Sequence, residues 1–342
     1  MRPPSATSDT GRDTASGGGY EAGVQPELMA ARFPAFGLAV EARFPLPVDS
    51  APTDPELPRV ALEMEPAARL ETKWSGSASP KAWRGRLGDD QVFAIERGRE
   101  GDLLFRYGAR ARFHLDARRR RLGCAPSDPA GAAWRRMLLT RVLPNVSIAH
   151  GYEALHASAV LTDRGVVAIA APSGSGKSTL ALELVRRGWP LFADDTVVLG
   201  RRSEAIEAFP AAPFVNLPAA AGEVRSLGAD LGLVDGERWV AVANPPGAAA
   251  EVAAIVLLER TPGQLLGAGP AGGSPLSLAP FMLGLPDDEG RDLSRFALYA
   301  DLVERSQLLR LTADTADRPA DLAATLEGAL GLAPGVPVGE AV

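Results

Sequence analysis

The chain has 342 residues, long enough for one large domain or two ordinary ones with a real core. A net charge of −6, with 46% apolar and 23% charged residues, is the composition of a soluble globular protein and argues against a general nucleic-acid binder. Cys124 is the single cysteine, which excludes an intrachain disulfide and points to a reducing compartment.

Residues 1 to about 26 hold Ser, Thr, Gly, Pro and Asp with few large apolar groups and are expected to form a disordered tail. No apolar run there reads as a signal peptide, so a cytoplasmic location is expected. From 27 to 128 the texture changes to short alternating runs such as Arg59-Val-Ala-Leu-Glu-Met64 and Leu103-Leu-Phe-Arg-Tyr107, separated by turns such as Gly88-Asp-Asp90. That pattern predicts a mostly β N-terminal domain. His114 alternates with Phe113 and Leu115 and reads as a strand residue rather than a ligand. Arg118-Arg-Arg-Arg121 reads as a solvated turn or strand end.

A second domain is expected over 129–332, followed by a frayed tail at 333–342. Trp134, Met137, Leu138 and Val142 recur at helical spacing from Ala130 to about Leu143, and Pro144 is expected to kink or end that helix. An α/β alternation follows. It consists of a strand from His156 to Leu161, a turn at Asp163-Arg-Gly165, a strand to Ala171, a helix from Ser178 to Arg187 stopped by Gly188, and a strand from Leu191 to Leu199. Further on come a strand Val252 to Leu258, a helix Leu293 to Arg305, a strand Gln307 to Thr312 and a helix Ala320 to Leu330. The uncharged stretch Thr261 to Pro286 is too rich in Gly and Pro to be a membrane helix and reads as a mobile loop, a candidate lid.

Between the second strand and its helix lies Ala171-Pro-Ser-Gly-Ser-Gly-Lys-Ser-Thr179, which fits the phosphate-binding loop (Walker A) pattern. Glycines let backbone N–H groups approach a polyphosphate, and the following helix presents its positive end to the same anion. Ser173, Gly174, Ser175, Gly176, Lys177, Ser178 and Thr179 are therefore the expected nucleotide-binding residues, with Lys177 reaching the β- and γ-phosphates and Ser178 on Mg²⁺. Only Lys73, Lys81 and Lys177 are lysines, and one of them stands where such a loop requires an ammonium. Asp194 and Asp195 follow Lys177 by seventeen and eighteen residues. A strand returning beside the loop strand would bring both to the phosphate end of the sheet. Phosphoryl transfer uses one carboxylate to order Mg²⁺ and one to deprotonate the attacking hydroxyl. Neighbours on a regular strand point to opposite faces, so both can serve only if the strand has ended there.

The run Leu155-His-Ala-Ser-Ala-Val160, the loop Ser173–Ser178 and Arg187-Gly-Trp-Pro-Leu-Phe-Ala-Asp-Asp195 resemble the catalytic domain of HPr serine kinase/phosphorylase and its broader relatives, among them lasso-peptide kinases. The resemblance implies an α/β P-loop kinase domain of the HPr kinase/phosphoenolpyruvate carboxykinase type. It further implies ATP and Mg²⁺ as cofactors, Asp194 as base, Asp195 on the metal side, His156 as partner of the catalytic aspartate, and homo-oligomeric assembly. The HPr enzymes carry Glu where this chain has Thr179, and their further glutamate motif is not recognisable around Val215 to Glu223, so the expected substrate is a serine of a protein or peptide other than HPr. No nucleic-acid or membrane partner is expected. Two alternatives stay open: a small-molecule hydroxyl kinase of the shikimate or gluconate type, and an NTPase switch that transfers to no acceptor.

Overall fold

The computed structural model describes residues 30–76, 83–87, 91–202, 204–219, 227–286 and 288–332. The expected tails at 1–26 and 333–342 and the turn Gly88–Asp90 lie outside the described residues.

The alternating runs of the N-terminal part form an eight-stranded sheet. Its spatial order is Ala30–Ala35, Leu38–Pro45, Arg59–Met64, Arg121–Pro126, Ala111–Leu115, Leu103–Tyr107, Gln91–Arg97 and Trp83–Leu87. The strands Leu38–Pro45, Arg59–Met64 and Arg121–Pro126 run parallel to one another, and the other pairings are antiparallel. Val40, Val60, Leu62, Phe105, Phe113 and Leu122 are buried together in its core. His114 is a satisfied strand residue: its Nε2 lies 2.8 Å from Asp102 Oδ2. Residues 118–120 form a turn, exposed at Arg118 and Arg120, before Arg121 enters its strand.

Pro144 does not end the helix that crosses to the second half. The segment runs as α-helix Ala132–Met137, a π-turn Leu138–Val142 and α-helix Leu143–Ala149. Proline lacks the N–H that an α-helix interior would use, and widening the preceding turn accommodates it without a break. Trp134, Leu138, Val142 and Val146 share one apolar cluster with the N-terminal sheet, so no break in the core falls at residue 128.

The second sheet has ten strands. Its centre runs in the order Leu191–Ala193, Ala157–Thr162, Gly165–Ala170, Ala250–Arg260 and Gln307–Ala313. The strand Gly165–Ala170 is buried on both sides: Val167 and Ile169 face helices Lys177–Arg186 and Pro319–Leu330, while Val166, Ala168 and Ala170 share a cluster with helix Asp292–Arg305. Period-two alternation with apolar residues at every position produces this two-sided burial. A smaller sheet of Phe214–Pro218, Glu237–Val242 and Gly228–Val234 packs Trp239 against Phe214.

Two sequence expectations are revised here. The strand bearing the aspartates is not beside the loop strand; Ala157–Thr162 lies between them, paired antiparallel to both. The tight turn at Asp163-Arg164 makes Ala157–Thr162 and Gly165–Ala170 a hairpin, which takes that edge of the loop strand first. Thr261–Pro286 also has ordered pairing: Gly267–Pro270 joins the sheet beside Gln307–Ala313, Pro275–Phe281 is a 3₁₀ segment, and Met282–Leu283 pairs with Glu153–Leu155. No described helix is long and apolar enough to cross a membrane.

Candidate active site

The loop strand ends at Ala170, and the chain turns through Ala171–Gly176 into helix Lys177–Arg186. Gly174 and Gly176 have φ of 79° and 91°. A Cβ at Gly174 would meet open space, and one at Gly176 would meet only Arg260 Nη1 at 3.3 Å. Left-handed backbone, rather than crowding, is what requires glycine at both positions. The outcome is an open cradle of backbone at the positive end of a helix, with Ser173, Gly174 and Thr179 exposed.

Lys177 is 6% exposed. Its Nζ donates to Pro172 O at 3.3 Å and to His156 Nε2 at 3.0 Å. An ammonium only donates, so Nε2 must accept, and the proton of the neutral ring is assigned to Nδ1, which lies 3.0 Å from the Asp195 carbonyl oxygen. Burial holds the His156 pKa below its ordinary value, in keeping with a neutral ring, and burial also lowers that of Lys177. His156 sits in the break between strands Glu153–Leu155 and Ala157–Thr162, where its own N–H donates to Phe281 O at 2.7 Å. The end of the uncharged stretch is thereby fastened to the site.

The predicted strand Leu191 to Leu199 is interrupted at the aspartates. It ends at Ala193 and resumes at Val197. Thr196 N–H donates to Asp194 O at 2.8 Å, and Asp195 between them has φ of 67°. Such a three-residue turn is rare and strained for a residue other than glycine, and strain of this kind clusters at functional sites. Here it frees the two carboxylates from the opposite-face geometry of a strand.

Their surroundings differ. Asp194 Oδ1 accepts from Ser178 Oγ at 2.7 Å and from Ser158 Oγ at 2.8 Å, and its Oδ2 faces the Asn216 N–H at 3.5 Å. Asp195 Oδ2 pairs with Arg141 Nη1 at 2.9 Å, and its Oδ1 lies 3.4 Å from His156 Nδ1. Burial, reinforced by the charge of Asp195, pushes the Asp194 pKa above the ordinary carboxylate value. The hydroxyl expected on Mg²⁺, that of Ser178, is thus bonded to Asp194 and not to Asp195.

Three contributors escaped the sequence reading. Arg141 comes from the π-turn of the crossing helix, and Ser158 lies two residues after His156 on the hairpin. Arg260, at the end of the strand beside the loop strand, is held by the carbonyls of Asp314, Thr315 and Asp317, with its Nη1 turned toward Gly176. Only Ser158 had a local signal, since period-two alternation places it on the same side as His156.

No family model matches the chain, and no curated protein matches it. Among solved structures, the fold is similar at a distance to the Hpr(Ser) kinase/phosphatase from Coxiella burnetii, at 15% identity and a TM-score of 0.28, over 51% of this chain and 94% of that one.

Proposed function

We propose that the chain is an ATP- and Mg²⁺-dependent phosphotransferase acting on a hydroxyl, a serine of a protein or peptide. The observation that carries this reading is the meeting of a glycine-shaped phosphate cradle, Lys177, Ser178 and two differently placed carboxylates at one end of one sheet. The residues fit a nucleotide and its metal ion. The cradle is open where phosphates would lie, and Ser178 and Asp194 are hard oxygen donors of the kind Mg²⁺ takes alongside phosphates and water.

Bound Mg²⁺·ATP supplies the transferable phosphoryl group and screens its charge. Ser178 and Asp194 would hold the metal, because the hydroxyl and the carboxylate already face each other at 2.7 Å. Lys177 would exchange His156 and Pro172 for phosphate oxygens. Asp195, with a side chain 21% exposed, is reachable by an incoming acceptor and would take the hydroxyl proton. His156 and Arg141 orient that carboxylate. The roles of the two aspartates are exchanged relative to those implied by the family resemblance.

The exchange is tested with Asp195→Asn and Asp194→Asn. Asp195→Asn is expected to lower transfer by roughly 10²- to 10⁴-fold while ATP affinity persists. Asp194→Asn is expected to raise the Mg²⁺ concentration needed for nucleotide binding. The reverse pattern would restore Asp194 as the base.

A further inference from the structure

A groove of about 680 Å³ lies at the far end of the crossing helix and shares no lining residue with the site above. It runs across the starts of the parallel strands Leu38–Pro45 and Arg59–Met64 and the turn that leads into Arg121–Pro126. Arg32, Arg59, Arg118, Arg120 and His150 line it, against the single carboxylate of Glu41. Glu41 pairs with Arg32 at 3.2 Å. Among the described residues, Arg59, Arg118 and Arg120 have no carboxylate partner for their guanidinium groups, and all three are exposed. The neighbouring Asp54 and Glu56 are committed to Arg202. In a chain of net charge −6, a cavity with this excess of free guanidinium is a local inversion of sign.

The spacing decides what fits. From the first strand to the fourth the groove spans three inter-strand gaps, about 14 Å in all. That is too wide for one phosphate group and matches four or five residues of extended peptide at about 3.3 Å each. Pro55, Leu57 and Val60 supply apolar contact for the methylenes of such a chain. No Phe, Tyr or Trp lines the groove and the His150 ring is tied to the Arg119 carbonyl at 2.8 Å, whereas single-stranded nucleic acid is held by base stacking as well as charge.

We propose that this groove docks an extended acidic peptide segment. That the segment belongs to the phosphate acceptor rests on the phosphotransferase reading; the binding itself does not. His150 closes the helical run that carries Arg141 nine residues, or about 14 Å, earlier, so a segment seated in the groove is within a few extended residues of Asp195.

Fluorescein-labelled hexaglutamate titrated with the full chain, without nucleotide and read by anisotropy, tests the proposal. Saturable binding is expected that weakens as salt rises. Arg59→Glu/Arg118→Glu is expected to weaken it at least about tenfold, and Arg59→Gln/Arg118→Gln by less. Lys177→Ala is expected to bind as the wild type does, so the groove can succeed or fail independently of the phosphotransferase reading. Thermal melts check that each variant is folded. Absence of saturable binding, or equal binding by the folded charge-reversed variant, overturns the proposal. So does binding of an oligothymidylate or of inorganic phosphate at this groove where hexaglutamate fails.

Discussion

Asp194 and Asp195 are adjacent in sequence and sit in different chemistry. Asp194 is enclosed by two serine hydroxyls and pushed toward its protonated form, whereas Asp195 faces Arg141 and His156. A carboxyl whose folded pKa is raised above 3.8 keeps its proton longer in the folded state than in the unfolded one. Its contribution to stability is therefore full below the unfolded value and is lost as pH rises through the folded one. Asp194→Asn is accordingly expected to raise the melting temperature of the nucleotide-free protein at neutral pH. That gain should shrink as pH falls through the raised value toward 3.8; a pH-independent difference would contradict the burial account. Lys177, Ser178 and both aspartates were legible because the loop pattern and the tandem acids are short-range features of the chain, whereas His156 entered only through the family resemblance. Arg141 and Arg260 were not, since each reaches the site through pairing or helix placement that no local pattern encodes.

At the scale of elements, the hairpin of Ala157–Thr162 and Gly165–Ala170 fixes the distance between His156 and the phosphate loop. Gly165 makes this turn possible. Its φ is 122°, and an added Cβ would stand 2.5 Å from the backbone oxygen of Glu251 on the neighbouring strand. Gly165→Ala combines backbone strain with a clash that no side-chain rotation relieves, and is expected to cost about 1–3 kcal/mol or more. Urea denaturation measures it, and an unchanged midpoint would show that the strand ends yield. The individual strands and helices of this half followed from period and punctuation. Their spatial order did not, because hairpin closure is a competition between edges of the sheet, and the strand bearing the aspartates takes the outer place. The break at Asp194-Asp195 was likewise hidden, since the flanking Leu191-Phe192 and Val197-Val198 read as one strand.

Across the whole molecule the N-terminal sheet and the crossing helix share one core, to which Phe214, Val234 and Trp239 of the small sheet also belong. Charged contacts fasten the same junction: Arg136 pairs with Glu237 at 2.9 Å, and Tyr107 and Arg110 of the N-terminal sheet both reach Asp235. Sequence texture divides the chain near residue 128, but apolar burial does not, because periodicity identifies buried faces without saying which face each one meets. The phosphate loop packs in a separate apolar cluster with Val167, Ile169 and Leu180, and the crossing helix, buried in the first core and carrying Arg141 to Asp195, joins the two, as transfer to a docked polypeptide would require. The measurement that tests this account most directly is the fate of γ-labelled phosphate. Purified protein is incubated with Mg²⁺, γ-labelled ATP and a heat-treated extract of its source cells, with Lys177→Ala and Asp195→Asn in parallel. The account predicts label on a protein or peptide, stable to acid and released by strong alkali, and lost in both variants. Label recovered only on a small metabolite or as free phosphate would contradict it.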